Sequence, residues 1–147
     1  MIIKNHLTFV DNRGSYTSMD VKDWDQCSIS INIHPYTFRG LHYQTDPAQT
    51  KYVKVIQGSI IDFLVDLTTQ TVEFAKLTSN SAIEIPFSKA HGFLTLEPNT
   101  IIAYNVIGKY NPKSEHSIVW NTIPEVKQII ESYSKNITIS EKDQNGK

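Results

Sequence analysis

The sequence predicts an all-β fold of the sandwich, jelly-roll or barrel type. Three observations carry this: apolar–polar alternation over many short segments, polar or glycine-bearing turns between them, and a single stretch at helical spacing. Segment 28–33 alternates cleanly and sets Ile29, Ile31 and Ile33 on one face. Segment 52–56 runs into Gln57-Gly58, a turn signal, and 59–67 resumes as the next strand. Further strands are predicted at 72–77, 82–85, 92–96, 101–107 and 117–120. The exception begins at Thr122-Ile123-Pro124-Glu125, which has a capping-box pattern. Val126, Ile129, Ile130 and Tyr133 then recur at helical spacing, so a helix is predicted over 124–134. Composition alone makes the polar stretch 139–147 a frayed tail. With no internal repeat, low-complexity tract or linker, the reading is one domain over 1–147.

Composition narrows the function classes. A chain of 147 residues is long enough to bury a core without disulfides. Fourteen Lys and Arg against 15 Asp and Glu give no electrostatic case for nucleic acid, so an anionic ligand must meet a local basic cluster. The single cysteine, Cys27, excludes an intramolecular disulfide and fits a reducing compartment. No apolar run approaches the roughly 18 residues that span a bilayer. The opening Met1-Ile2-Ile3-Lys4-Asn5-His6 lacks the apolar region of a secretory signal. A cytoplasmic protein with no membrane partner is expected, in which the sequon Asn136-Ile137-Thr138 is a chance match.

Candidate chemistry centres on Arg39-Gly40-Leu41-His42-Tyr43-Gln44. Period-two geometry would put Arg39, Leu41 and Tyr43 on one face and Gly40, His42 and Gln44 on the other. A strand with His and Gln on one side suits the wall of a polar pocket better than an apolar core. Of the five His, His6, His34 and His116 lie in polar or connecting surroundings, whereas His42 and His91 are flanked by glycine and strand-forming residues. A single His in such a place is more often a hydrogen-bonded structural residue than a catalyst. A metal site needs three or more placed ligands; no His-x-His pair is present and no Glu follows His42 at short spacing. Asp62 and Asp66, on one face of one strand, could line a pocket or hold a metal. Proton abstraction beside a carbonyl needs a base, a carboxylate to orient it, a cation or donor for the enolate, and an acid on the opposite face. His42 or His91, an Asp, Lys51 or Lys54, and Tyr104 supply those residue types. Taken alone, Tyr104 reads as a core aromatic.

The residues also spell a family pattern. Phe9-Val10-Asp11-Asn12-Arg13-Gly14, Gln26, Ser28 and Ser30 come first, followed by the 39–44 motif, Gln49-Thr50-Lys51-Tyr52-Val53 and the 58–67 strand. Ile85-Pro86, Ala90-His91-Gly92-Phe93, Tyr104, Tyr110-Asn111-Pro112-Lys113-Ser114-Glu115 and Ile118-Val119-Trp120-Asn121 complete the order. In this the chain resembles the dTDP-4-dehydrorhamnose 3,5-epimerase family, cupin-type jelly rolls that epimerise nucleotide-linked 4-keto sugars. The resemblance implies a cupin-type jelly roll with a short C-terminal helix. It also implies no cofactor or metal, a nucleotide-sugar substrate, and a homodimer built by strand exchange between sheets. By the same resemblance His42 is the base, Lys51 stabilises the enolate and Tyr104 is the opposing acid. Asp143, in Ser140-Glu141-Lys142-Asp143, orients His42, so the tail folds back; Asp62 and Asp66 are the alternatives for that role. Arg13 and Arg39 grip the diphosphate and Tyr16 packs on the base. Gln26, Gln44, His91 and Tyr110 complete the substrate-binding set.

Departures from the family pattern fall on the rim. Ser18 replaces an acidic residue, Ser28 an Asn and Thr122 an Asp, and the Trp-Pro that ends the next strand is missing. The short N-terminal stretch predicts a truncated or rearranged first strand. Substrate identity and the number of epimerised centres are therefore open. Two other readings stay in view: a keto-isomerase moving the carbonyl between C3 and C4, and a non-catalytic cupin that binds sugar nucleotides.

Overall fold

The structure, a computed structural model, describes residues 7–19, 24–79 and 81–146. Eleven strands are present among them, in order β1 (Leu7–Asp11), β2 (Gly14–Met19), β3 (Gln26–Asn32), β4 (Phe38–Gln44), β5 (Thr50–Gln57), β6 (Ser59–Asp66), β7 (Val72–Thr78), β8 (Ala82–Ile85), β9 (Lys89–Thr95), β10 (Thr100–Ile107) and β11 (Glu115–Ser117). They form a six-stranded sheet, β1-β2-β3-β10-β5-β8, and a five-stranded sheet, β11-β4-β9-β6-β7, with antiparallel pairing throughout. Helix α1 (Pro124–Tyr133) and the short α2 (Glu141–Asn145) follow. The all-β expectation and the C-terminal helix both match. His6 lies outside the described residues.

Alternation decides what each face meets. On β6, Ile61, Phe63 and Val65 point to one core, while Ile60 and Leu64 point to another. The first core lies between the five-stranded sheet and α1, where Phe38, Leu41, Ala90 and Leu94 meet Ile123, Val126 and Ile130. Burying each of the two fully enclosed helix residues, Val126 and Ile130, contributes about 1.5–3 kcal/mol. The second core lies between the sheets, where Val53, Val55, Ile85 and Ile102 meet Ile60, Leu64 and Phe93. This apolar plug fills one end of the space between the sheets; the other end is a pocket.

The pocket explains β3. Ser28, Ser30 and Asn32 are wholly buried, whereas Ile31 and Ile33 are 38% and 46% exposed. The isoleucine face predicted for this strand exists, but it turns outward, because the inner surface here is polar.

Three sequence expectations need correction. The capping box is not made: α1 starts after a 3-10 turn (Trp120–Thr122), its N-cap is Ile123, and no side chain caps it. The Thr122 hydroxyl donates instead to the Val119 carbonyl, 2.7 Å away, and Pro124 at the start of the helix removes one donor that would need a cap. The strand predicted at 117–120 ends early, at Ser117. The 139–147 stretch is not frayed through residue 145. Ser140 caps α2 by accepting from the Asp143 amide at 3.2 Å, and Gly146 closes it with φ 69°.

Candidate active site

Strand β4 supplies the centre of the site through an irregularity. Its register against β9 shifts between Arg39 and His42, so strict alternation fails there. Arg39 and His42 both line the pocket, while Leu41 between them is buried in the core beneath α1. This corrects the opposite-face assignment of Arg39 and His42. Glycine makes the irregularity possible. Gly40 has φ +132°, and a Cβ placed on it would lie 2.5 Å from the Gly92 Cα and 2.8 Å from the His91 carbonyl oxygen.

The tail reaches this strand as the resemblance implied. The Thr138 amide donates to the Tyr36 carbonyl and the Phe38 amide to the Thr138 carbonyl, at 3.0 and 2.8 Å. Asn12 Nδ2 donates to the Ile139 carbonyl at 3.1 Å. Helix α2 then delivers Asp143, 1% exposed, whose Oδ1 lies 2.6 Å from His42 Nε2. Its Oδ2 accepts from the Gly40 amide at 3.2 Å and from Arg13 Nη1 at 3.1 Å. Burial alone would push the Asp143 carboxyl up. The hydrogen bonds and positive charge of its neighbours, His42 foremost, outweigh that and hold it below the ordinary aspartate value.

The opposing sheet contributes the other polar groups. Lys51 on β5 and Tyr104 on β10 line the same pocket. Lys51 Nζ has no hydrogen-bond or ion-pair partner among the described residues. Burial depresses its affinity for a proton, partly offset by Glu115. An ammonium in that state is a stronger hydrogen-bond donor to a developing oxyanion. The Tyr104 hydroxyl sits 3.2 Å from Ser30 Oγ. Burial pushes its pKa up, against the pull of Arg39 and Ser30, so it remains a protonated donor through the neutral range.

Around this centre lies a cavity of about 730 Å³, within the usual range for small-ligand sites. Tyr16 stands beside Tyr104 with ring centroids 6.4 Å apart, and its hydroxyl donates to Ser28 Oγ at 2.7 Å and accepts from Gln26 Nε2 at 2.9 Å. Arg39 donates Nε to Asn32 Oδ1 at 2.7 Å, and its buried Nη2 has no hydrogen-bond partner among the described residues. Arg13 is bound to two carboxylates, Asp11 and Asp143. Tyr110, 56% exposed, donates to Glu115 Oε2 at 3.0 Å; burial and that carboxylate push it up to about 12. Glu115 also accepts from Lys142 Nζ at 3.0 Å.

Of the sequence-predicted set, His42, Asp143, Lys51, Tyr104, Arg13, Tyr16, Gln26, Arg39, His91 and Tyr110 are brought together at the pocket. Gln44 is not. Its side chain is a buried strut, Nε2 donating to the Pro47 and Lys109 carbonyls and Oε1 accepting from the Asn111 amide. The alternative orienting groups go elsewhere as well. Asp62 binds His91 Nε2 at 2.7 Å, and Asp66 receives the Thr68 and Thr69 amides in a turn. Sequence reasoning gave no role to Glu115 or Lys142, whose rim pairing has no local signature, nor to Asp11, whose partner Arg13 stands two residues away. Among the described residues no group of three or more His, Cys, Asp or Glu is arranged to hold a metal.

Two sheets closing on a polar pocket, with His42 on one wall and Lys51 and Tyr104 on the other, define a cupin-type jelly roll. The family model of dTDP-4-dehydrorhamnose 3,5-epimerase matches residues 6–147, and the chain belongs to that family. A relative of that name from Mycobacterium tuberculosis is 35% identical over 109 residues, covering 69% of this chain and 52% of the relative. One from Methanothermobacter thermautotrophicus is 32% identical over 121 residues, covering 74% and 63%. The chain thus matches about half to two thirds of the length of these relatives. A solved structure of the Bacillus anthracis enzyme with TDP and PPi bound is 28% identical, has a TM-score of 0.71, and is matched over 95% of this chain and 88% of its own. No helix among the described residues is long and apolar enough to cross a membrane.

Proposed function

We propose that the chain is a cofactor-independent epimerase of a nucleotide-linked 4-keto-6-deoxy sugar, acting at C3, C5 or both, in deoxysugar biosynthesis. The observation that carries this is the 2.6 Å contact of Asp143 with His42, which lines one pocket with Lys51 and Tyr104. His42 removes a proton from a carbon next to the keto group. Asp143 fixes the imidazole tautomer and stabilises the imidazolium that forms. Electron density moves to the keto oxygen, where the Lys51 ammonium stabilises the enolate. His42 belongs to the five-stranded sheet and Tyr104 to the six-stranded one, so a sugar held between them meets base and acid on opposite faces. Returning a proton from the Tyr104 side inverts the carbon. Arg39, whose buried Nη2 has no partner among the described residues, is suited to a diphosphate oxygen, because a planar guanidinium presents paired donors.

The same reading gives a cytoplasmic homodimer with neither nucleic acid nor membrane as partner. Ile31, Ile56 and Ile107, exposed on the outer face of the six-stranded sheet, support a second copy there.

The test is incubation with dTDP-4-keto-6-deoxyglucose in deuterated water, followed by NMR. Deuterium should enter the ring at each epimerised carbon, and His42→Ala should lower incorporation by roughly 10²–10⁴-fold with the fold intact. A wild-type chain that exchanges no ring proton defeats the reading. Carbonyl migration between C3 and C4 would make the protein a ketoisomerase instead.

A further inference from the structure

We propose that Arg13 is a positioning residue for the proton-abstracting pair, holding Asp143 against His42 and tempering its negative charge. Resting on the reading of His42 as the base, the proposal adds a control on how strong that base is.

The β1–β2 hairpin is the clamp. Its turn residues Asn12 and Arg13 both reach the C-terminal segment: Asn12 through the Ile139 carbonyl, and Arg13 through Asp143 Oδ2 at 3.1 Å. Arg13 cannot drift, because Asp11 holds its other edge. Nε donates to both Asp11 oxygens at 3.1 Å, and Nη2 donates to Oδ2 at 2.7 Å. Asp143 therefore meets His42 on one oxygen and a fixed cation on the other. That cation draws negative charge away from the oxygen facing the histidine and opposes a proton on the pair's carboxylate. Asp11 in turn neutralises part of Arg13. The chain of charges is Asp11, Arg13, Asp143, His42, alternating in sign once the imidazole is protonated. The other charged groups around the pair are Arg39 on β4 and Glu115 on β11, the latter tied to Lys142 on α2. Two of the five guanidinium N–H groups of Arg13 have no partner among the described residues. An anion in the pocket can therefore engage Arg13 without first displacing Asp143, and it would weaken the restraint on the base when substrate is present.

The experiment is an NMR titration of the His42 ring protons in the ligand-free full chain, for the wild type, Arg13→Met and Asp11→Asn. Arg13→Met should raise the proton affinity of the His42–Asp143 pair by about threefold to tenfold, the size expected for losing one nearby charge. Asp11→Asn, a change at an exposed carboxylate that leaves the fold safe, should lower it by a smaller factor. The acid limb of deuterium exchange should move in parallel in both variants. Unmoved titrations in both variants overturn the proposal, as does a variant that raises KM alone and leaves the acid limb in place. Absence of exchange in the wild type would overturn the epimerase reading instead, while the titration would still decide the coupling.

Discussion

Among the described residues are two His–Asp pairs of nearly equal length in very different settings. His42–Asp143 spans 2.6 Å across 101 residues of sequence, with the His42 side chain 27% exposed. His91–Asp62 spans 2.7 Å between neighbouring strands, with the two side chains 5% and 1% exposed. In the first pair both carboxylate oxygens are satisfied. In the second, Asp62 Oδ2 is buried without a partner among the described residues. The contrast shows that contact length does not identify a base. A proton acceptor must also be reachable, and its carboxylate must be fully supported so that it stays ionised when the imidazole charges. The first pair meets both conditions; the second, more deeply buried, ties the adjacent strands β6 and β9 together at the pocket wall.

Breaking each pair separately sharpens the difference. Asp143→Asn should cut deuterium incorporation by roughly 10²–10⁴-fold, since the base loses the group that sets its tautomer and stabilises its cation. A near-normal exchange rate in that variant would erase the distinction. Asp62→Ala should act on stability first, costing about 1–3 kcal/mol in urea unfolding because the buried His91 N–H loses its acceptor. If it abolished exchange at unchanged stability, the two pairs would share the chemistry. The smallest effect is in acid. The folded pKa of Asp143 lies below its ordinary 3.8, so its stabilising contribution is fully present above that value. It is lost as pH falls through the lowered folded value. Asp143→Asn should therefore flatten the acid end of the stability curve, read by chemical denaturation at successive pH values.

Much of the β framework was legible because alternation and turn residues are local signals, as on β5, β6 and the Gln57-Gly58 turn between them. Alternation does not say which face is inside. On β3 the buried face is the serine one, a consequence of the pocket and not of the strand's own pattern. Nor could periodicity place Arg39 beside His42, because the register shift depends on how closely Gly40 approaches Gly92 on another strand. The contact of Asp143 with His42 was readable only through a family motif, since a polar tail carries no hydrophobic pattern to announce its docking. Gln44 shows the reverse case: a polar residue inside a conspicuous motif whose amide is spent on three backbone groups. His42, two residues earlier, lines the pocket, but the partners of Gln44 are backbone groups of Pro47, Lys109 and Asn111.

The position of Asp143 also orders events in time. Biosynthesis proceeds from the N-terminus, so all eleven described strands are made before α2 is added. A nascent chain that has closed both sheets already carries His42, Lys51 and Tyr104 in place, yet its histidine has no carboxylate to steady it. Among the described elements α2 comes last in chain order, so the proposed base gains its carboxylate only after every described strand has been made.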